Sequence, residues 1–318
     1  MNIEVKPDLT IVTSVYNALE HTHHYTENIP ATLPPSLKVE FILVNDGSDL
    51  DTTIFLRDLP EPWIVRNNAD NQGFAWRNNE GAKTARGKYI LFLNNDVVAQ
   101  PGWLEPMLDV MMNPPSGHKV GCVGNIQNYA GKPTINHAGI YFHPGDFTMR
   151  HAWDGWPKPP KPKVWDWHAV TAACMLVERD LFIQAGSFDE QFKNGYEDAD
   201  FCLRLFKDGY SNLVANQSRV GHWVSSSPGR FNREDQNFLY FQEKWGSWLH
   251  VLARRDFARI YFRSQTLGHA LKDWRSFAYA MGCKLQPERP FDVEPTMAWQ
   301  TLAHQGKTLD ALHRKPEK

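Results

Sequence analysis

The sequence predicts an α/β protein in which a mostly parallel sheet is flanked by helices and followed by a C-terminal helical appendage. Apolar runs at residues 9–15, 39–44 and 89–93 are continuous, which is typical of strands that are covered on both faces. Helical patterns separate the runs, as in a series of β-α-β units. Each run ends in polar residues, and ligands bind at the carboxyl ends of strands in such sheets.

The composition is that of an ordinary globular protein with room for a large core. The 318 residues are 42% hydrophobic and 22% charged, and the net charge of −2 favours no polyanionic partner. The four cysteines include no CxxC pair, which argues against a zinc ribbon and for reduced thiols. No apolar run approaches the roughly 20 residues that cross a bilayer, and the N-terminus has no signal-peptide pattern, so we expect a cytoplasmic protein.

The first strand, residues 9–15, ends at Tyr16 and Asn17, and a helix is expected over residues 22–29. Three histidines at positions 21, 23 and 24 superficially look like a metal tract. They stand at a predicted helix start, so we expect them to be solvated.

The second strand, residues 39–44, leads into Asn-Asp-Gly-Ser-Asp at 45–49. This segment is either ordinary turn chemistry or a place where Asp46 accepts hydrogen bonds from a base or ribose. A short third strand at 63–66 precedes a helix over 74–85, with Gly87 as its expected C-cap. The central strand then delivers Asn94, Asn95 and Asp96 to the edge of the sheet.

Seven motifs in order resemble family 2 glycosyltransferases of the GT-A fold. Each is weak alone, but their order and spacing match that family over about residues 9–226. They are Val-Asn-Asp-Gly-Ser at 44–48, Asn71 with Gly73, Asn79 with Gly81, Leu-Asn-Asn-Asp at 93–96, Thr-Ala-Ala-Cys-Met at 171–175 with Gly-Ser-Phe-Asp-Glu at 186–190, Gly-Tyr-Glu-Asp-Ala-Asp at 195–200, and Gly-His at 221–222.

The resemblance implies a divalent cation, Mn²⁺ or Mg²⁺, that stabilises the diphosphate leaving a nucleotide sugar. It assigns Asp96 and His222 as the metal ligands. Asn94 stands where many relatives carry aspartate, which removes one negative charge from the site. His222 has the alternative of packing as a neutral side chain near the nucleotide.

The resemblance also implies that Asp198, paired with Glu197, is the general base of an inverting transfer. An acidic pair at a helix N-terminus interacts favourably with the helix dipole, so capping without chemistry is the alternative. Asp200 and Arg204, four residues apart, are expected to form a structural ion pair.

The expected donor contacts come partly from these motifs and partly from residues that stand near them at strand ends, in the helix over 74–85 and in a glycine- and serine-rich stretch. Tyr16 and Asn17 would lie under the base, and Arg77 is either a phosphate contact or a solvated side chain. Arg230 would close over the diphosphate from a mobile Ser-Ser-Ser-Pro-Gly lid. The full set of expected nucleotide-sugar contacts is Tyr16, Asn17, Asp46, Asn71, Gly73, Arg77, Asn79, Asn94, Asn95 and Arg230.

Acceptor contacts are expected from Trp167, Thr171 and Trp223, with packing in the core as the alternative role of Trp223. Trp167 ends a proline- and lysine-rich loop over 153–167, which is either an acceptor-binding loop or a surface excursion. Many relatives have glycine where this chain has Ala172, and the extra methyl group would narrow the sugar pocket.

Residues 1–226 are therefore predicted to form the catalytic domain and residues 227–318 a helical region. Arg255, Arg259 and Arg263 share a helical face there, and residues 243–289 contain nine Lys or Arg against four Asp or Glu. This face would contact an anionic membrane near a lipid-linked acceptor, grip a nucleic acid, or remain solvated.

We expect a polysaccharide or lipid-linked glycan acceptor, with a modified nucleic-acid base such as a hydroxymethyl pyrimidine as the alternative. A nucleotidyltransferase would need a glycine-rich basic loop after the first strand, and residues 13–17 lack one. A catalytically silent nucleotide-sugar-binding protein is disfavoured by Asp96 and by Glu197 with Asp198, although Asn94 leaves it open.

Overall fold

The computed structural model describes residues 6–143, 147–157, 162–224, 233–264 and 273–289. Its strands are β1 (Leu9–Val15), β2 (Val39–Asp46), β3 (Trp63–Asn68), β4 (Tyr89–Leu93), β5 (Val97–Val98), β6 (Val120–Tyr129), β7 (Ile135–His137), β8 (Ile140–Phe142), β9 (Met149–His151), β10 (Val164–Trp167), β11 (Cys174–Glu178) and β12 (Ser211–His222). Its helices are α1 (Leu19–Ala31), α2 (Leu50–Arg57), α3 (Phe74–Thr84), α4 (Glu105–Met112), α5 (Arg179–Gln184), α6 (Glu197–Lys207), α7 (Glu234–Ser264) and α8 (Trp274–Leu285).

The large sheet has the order β10-β12-β6-β11-β4-β1-β2-β3. Strands β3, β2, β1 and β4 pair in parallel, as expected from their continuous apolar runs. β11 runs antiparallel between β4 and β6, and β6 pairs in parallel with β12. The predicted fold class, a mostly parallel sheet flanked by helices with a helical C-terminal region, is confirmed.

Both faces of the sheet are covered, which explains why its central strands are apolar throughout. Successive residues of β4 enter different clusters: Phe92 packs on one face and Leu91 and Leu93 on the other. In β1, Val12 and Ile11 likewise pack on opposite faces of the sheet. The strands therefore reach the polar edge as rigid supports.

Helix α3 lies directly against β1 because Gly81 has no side chain. A Cβ at this position would stand 2.3 Å from Cγ1 of Val12. Gly87 has a different role from the expected C-cap, since α3 ends at Thr84 with Ala85 as its cap. A Cβ at Gly87 would lie 2.5 Å from the backbone nitrogen of Thr10, so this glycine allows the chain to pass close to β1.

The first half of α7 is part of the main core. Phe241, Trp245 and Leu249 pack in the same buried cluster as residues of β4, β6 and α6. The second half packs with α8 in a separate cluster that contains Phe257, Tyr261, Tyr279 and Cys283. The boundary at residue 226 stays a prediction, because α7 adds core side chains to the preceding fold.

The four cysteine thiols are all buried and none is joined in a disulfide. Among the described helices, none is both long enough and apolar enough to span a lipid bilayer.

Candidate active site at the carboxyl edge of the sheet

The end of β4 and the end of β12 meet at the carboxyl edge of the sheet. The short strand β5 follows Asp96 directly and pairs with β12, so that Val97 lies opposite His222. The backbone N–H of Trp223 donates to the carbonyl oxygen of Asp96 at 3.0 Å. The sheet register therefore places two residues that are distant in sequence beside each other.

The side chains of Asp96 and His222 face each other in a buried position. Oδ1 of Asp96 lies 3.1 Å from Nε2 of His222, and the two residues are only 7% and 4% exposed. Neither ring nitrogen of His222 makes a hydrogen bond within the described part of the chain. A carboxylate oxygen and an imidazole nitrogen that approach so closely suit two ligands of one cation.

Neutral polar side chains line the sheet beside His222. Gln127 and His137 are opposite each other in the β6–β7 pair, and both are fully buried. Burial lowers the pKa of His137 well below its ordinary value, and the neighbouring His151 and His222 lower it further. His137 is therefore neutral, and its Nε2 accepts a hydrogen bond from the Gly139 backbone at 3.1 Å.

Asp198 lies in the first turn of α6 and is held against the same edge. Its Oδ2 accepts from the backbone N–H of Ala172 at 3.0 Å, and its Oδ1 accepts from Ala199 at 2.8 Å. The next carbonyl, that of Ala173, accepts from the backbone N–H of Asn94. A chain of two hydrogen bonds thus links Asp198 to the strand end that carries Asp96.

The turn before α6 holds Glu197 away from solvent. Asn194, Gly195 and Tyr196 have φ values of 61°, 155° and 73°, so three successive residues take left-handed or related backbone conformations. Oε2 of Glu197 accepts from the Gly195 backbone at 2.7 Å and stabilises this turn. Glu197 therefore stabilises the turn that precedes Asp198 in the chain.

Asp46 organises the loop that precedes α3. It is fully buried, and its carboxylate accepts from the backbone N–H groups of Gln72 at 2.9 Å and Gly73 at 3.0 Å. Asn68 donates a further bond to the same carboxylate at 3.1 Å. Asp46 therefore fixes the backbone of residues 72 and 73, and its contact with a base or ribose stays a prediction.

Arg77 is buried and not solvated. Its Nη1 lies 3.6 Å from Asp46 and its Nη2 lies 3.4 Å from Oδ1 of Asn194. Burial lowers the pKa of Arg77, while Asp46, Glu197 and Tyr16 oppose that effect. The guanidinium thus lies between the donor-side loop and the turn that leads into α6.

The other expected donor residues occupy the strand ends with local partners. Asn17 has a φ of 56°, and it joins the β1 and β2 loops through bonds with Ser48 at 2.9 Å and Asp49 at 2.7 Å. Asn95 donates to Oγ1 of Thr22 at 2.8 Å. Asn71 is exposed beside this edge, whereas Arg230 lies outside the described residues.

Two expected contacts have structural roles. The amide of Asn79 donates to Phe188 and Glu190 at 2.9 Å, and its oxygen accepts from the Phe188 backbone at 3.0 Å, so it holds the loop between α5 and α6. Trp167 is 1% exposed and packs against Gly139 in the core. The expectation that Trp167 contacts an acceptor is corrected, because the ring is covered by the protein itself.

Thr171 and Trp223 remain candidates for acceptor contact. Oγ1 of Thr171 accepts from the Ala173 backbone at 3.3 Å, directly next to the bond that holds Asp198. Trp223 is 47% exposed, and its ring lies 5.9 Å from that of His21. Residues 158–161 of the expected acceptor loop and residues 225–230 of the expected lid lie outside the described part of the chain.

The sequence reasoning missed Asn237, which lies in the first turns of α7. Its Oδ1 accepts from the backbone N–H of Lys193 at 3.1 Å, and its Nδ2 donates to the Lys193 carbonyl at 2.9 Å. The Lys193 ammonium in turn reaches the Gln72 carbonyl at 3.0 Å. The Asn-Gly pair at 194–195 was a recognisable turn signal, but no pattern in the sequence indicated Asn237.

The predicted basic face of α7 is only partly free to bind an external partner, because one of its arginines is paired within the protein. Arg259 pairs with Asp166 at 3.3 Å, so its charge is directed at the protein. Asp256 is buried, and its Oδ1 lies 2.8 Å from Nδ1 of His168. Its Oδ2 accepts a hydrogen bond from the backbone N–H of Phe142 at 3.1 Å, which anchors α7 to β8. Arg255 is exposed.

Comparison with known proteins agrees with this architecture. The model of a protein family described as glycosyl transferase family 2 matches residues 10–184. The chain is 31% identical over 197 residues to the O-antigen biosynthesis protein RfbC of Myxococcus xanthus, which covers 59% of this chain and 15% of that protein. It is 27% identical over 154 residues to the N-acetylglucosaminyl-diphospho-decaprenol L-rhamnosyltransferase of Mycobacterium tuberculosis, covering 45% and 49% of the two chains.

Among solved structures, GalNAc-T7 with UDP, GalNAc and Mn²⁺ superimposes with a TM-score of 0.61 at 15% identity. The superposition covers 95% of this chain and 58% of that one, and it shows the same GT-A fold. The chain spans well under two thirds of the length of the first curated relatives that it matches. The family match covers more than half of the chain, and the protein belongs to glycosyl transferase family 2.

Proposed function

We propose that this protein is an inverting glycosyltransferase that moves a sugar from a nucleotide-sugar donor to an acceptor hydroxyl. The observation that supports this best is the chain of contacts from Asp198 through Ala172, Ala173 and Asn94 to the strand end at Asp96. These contacts support an assignment in which Asp198 is the carboxylate for proton transfer and the Asp96–His222 pair at the same edge of the sheet would hold a cation.

Asp96 and His222 would hold the divalent ion, because carboxylate and imidazole suit Mn²⁺ and also Mg²⁺. No group of three or more His, Cys, Asp or Glu side chains in the described ranges has the arrangement of a metal site. The remaining ligands would then be oxygens of the donor diphosphate and water. When bound, the ion would supply Lewis-acid stabilisation of the leaving diphosphate.

Asp198 would accept the proton of the attacking acceptor hydroxyl. Each of its oxygens already accepts one backbone N–H, and a carboxylate oxygen has a second lone-pair direction that can accept the hydroxyl. The two backbone bonds hold the carboxylate in one orientation, which a general base at hydrogen-bond distance requires. Direct displacement by the activated hydroxyl inverts the anomeric carbon.

The donor side would be shaped by the loop at residues 71–73. Asp46 fixes the backbone of Gln72 and Gly73, and Arg77 lies behind it with its charge shared with Asp46. Asn71, Asn94, Asn95 and Tyr16 would then offer polar and aromatic atoms to the nucleotide and its sugar. Thr171 and Trp223 would border the acceptor.

We infer that the acceptor is a polysaccharide or a lipid-linked glycan. The supporting relatives are a protein named for O-antigen biosynthesis and one named for transfer of rhamnose to a diphospho-decaprenol sugar. A modified nucleic-acid base is the weaker candidate, because it relied on the basic face of α7 and Arg259 in that face is paired with Asp166.

A thermal-unfolding panel of nucleotide sugars with and without Mn²⁺ tests the proposal. A ligand at 100 times its Kd adds about 2.7 kcal/mol to the folded state, so the true donor should raise the unfolding temperature clearly. The same donor with a glycan acceptor should give a product of inverted anomeric configuration by NMR. Retention of configuration, or stabilisation by no nucleotide sugar, would exclude the proposed reaction.

A further inference from the structure

Helix α8 carries an apolar stripe on its exposed side, at whose edge the ring of Phe277 lies 6.2 Å from that of Phe262 on α7. Trp274 is 60% exposed, Phe277 is 37% exposed and Leu285 is 70% exposed. Met281 is half-buried and stands between them, so the four side chains recur at spacings of three and four residues. These spacings place them along one side of the helix, which we call the α8 stripe.

The opposite side of α8 is already used for packing. Ser276, Tyr279, Ala280 and Cys283 are buried, and the last three pack against Phe257 and Tyr261 of α7. A helix on the surface of a protein in water normally exposes a polar face opposite its packed side. In α8 both sides are apolar, and an exposed apolar side of this kind is a candidate interaction surface.

Positive charge flanks the α8 stripe on both sides. Arg275 and Lys284 are exposed, and the helix contains no acidic residue. The Arg275 guanidinium lies 5.7 Å from the Trp274 ring centre, and the Lys284 ammonium lies 5.2 Å from that of Phe262 on α7. An apolar stripe with aromatic side chains and cations at its edges has the chemistry of a helix that lies in the interface of an anionic bilayer.

We propose that the α8 stripe docks this protein on an anionic phospholipid surface. Trp274, Phe277 and Leu285 enter the boundary between headgroups and acyl chains, while Arg275 and Lys284 remain at the level of the lipid phosphates. The first part of α7 is packed in the main core and α8 packs on its second part, so the contact would hold the catalytic fold at the membrane surface. Lipid binding does not depend on the proposed sugar transfer.

Site-specific labelling tests the orientation. The native cysteines are all buried, so the variants Leu285→Cys and Leu239→Cys can each be labelled at one exposed position with an environment-sensitive fluorophore. Leu239 on α7 is 64% exposed and serves as the matched control. Vesicles of phosphatidylcholine with about a third phosphatidylglycerol should blue-shift the probe at 285 and leave the probe at 239 unchanged.

Co-sedimentation of the 318-residue chain with the same vesicles measures how strongly the α8 stripe contributes to lipid binding. The triple variant Trp274→Ser, Phe277→Ser and Leu285→Ser should lose roughly tenfold or more of its vesicle partitioning, because three apolar side chains no longer leave water. Leu239→Ser should bind like the wild type, and pure phosphatidylcholine should bind the wild type more weakly than the anionic mixture.

Three outcomes would overturn the proposal. These are equal sedimentation of wild type and triple variant, equal binding to neutral and anionic vesicles, and a concentration-dependent shift of the 285 probe without vesicles. The last would assign the α8 stripe to contact between two copies of the chain.

Discussion

Ala172 donates its backbone N–H to Oδ2 of Asp198 at 3.0 Å, and this bond joins the first turn of α6 to the segment that enters β11. The neighbouring carbonyl of Ala173 is bound by Asn94 at the end of β4. Because β4 and β11 are adjacent, paired strands of the buried sheet, these bonds tie Asp198 to the core of the protein. A general base that acts at hydrogen-bond distance needs such a fixed position.

The first prediction concerns Asp198 as the base. Asp198→Asn should lower the rate of sugar transfer by about 10²- to 10⁴-fold, because the amide cannot take the hydroxyl proton. Binding of the nucleotide-sugar donor, measured by calorimetry, should be retained. The amide must also turn its NH₂ group toward one of two N–H donors, so we expect an unfolding free energy about 1–3 kcal/mol lower.

Asp208→Asn is the control for this prediction, since Asp208 is exposed at the other end of the same helix. It should leave turnover and stability near the wild-type values. If the Asp198→Asn protein transferred sugar within about twofold of the wild-type rate, Asp198 would not be the base.

The strands that carry this site could be predicted because their signal is local. The apolar runs at 9–15 and 89–93 coincide with β1 and β4, whose residues fill both faces of the sheet. Asp96 and His222 were grouped from motif resemblance, and the pairing of β5 with β12 supplies the physical contact. Covered parallel strands leave a continuous apolar run that a single sequence shows directly.

The features that the sequence did not predict depend on contacts between residues that are distant in the chain. The burial of Trp167 results from the absence of a side chain at Gly139, and the pairing of Arg259 with Asp166 spans 93 positions. Helix α7 was expected to be an appendage because its own pattern shows only that it is helical. Which face of a helix packs, and on what, is decided by tertiary fit.

The second prediction concerns the Asp–His pair. Asp96→Ala and His222→Ala should each reduce the Mn²⁺-dependent gain in affinity for the nucleoside diphosphate by about tenfold or more, since each removes one ligand. Affinity without metal should change little. Calorimetric titrations with and without Mn²⁺ separate the two effects, and His24→Ala, on the exposed face of α1, is the control. If Mn²⁺ still raised the affinity of both variants for the nucleoside diphosphate as much as it does for the wild type, Asp96 and His222 would not be metal ligands.

The third prediction treats Asn237 as a positioning residue for Asp198. Asn237→Ala removes both side-chain bonds to the Lys193 backbone and releases the turn at 194–196 that leads into α6. We expect kcat to fall while the KM for the donor stays nearly constant, together with a loss of about 1–2 kcal/mol in unfolding free energy.

Asn237→Asp keeps the acceptor for the Lys193 N–H and should restore part of kcat. Gln236→Ala changes the exposed neighbour on α7 and should have no effect. A purely structural role for Asn237 would show as lost stability with an unchanged kcat for the folded enzyme.

The fourth prediction concerns the dependence of stability on pH, and it rests on Glu40. Burial alone would raise the pKa of Glu40, but bonds from the Arg86 backbone at 2.9 Å, the Arg86 side chain at 2.6 Å and Thr10 at 2.7 Å outweigh it. The pKa of Glu40 therefore lies below its ordinary value of 4.5. A carboxylate with a lowered folded-state pKa adds stability above the unfolded-state pKa, and this stability is lost as the pH falls through the folded-state value.

Glu40→Gln should accordingly destabilise the protein most at neutral pH, and the difference from wild type should shrink as the pH is lowered below 4.5. Denaturant unfolding across this range measures the difference at each pH. Glu27→Gln, at an exposed position on α1, should track the wild type throughout. The amide that replaces the Glu40 carboxylate also faces the N–H and O–H donors that the carboxylate accepted, which adds a cost that is independent of pH. If the difference stayed constant from neutral to acidic pH, that cost alone would account for it, and the ionisation of Glu40 would contribute nothing to the stability of the protein.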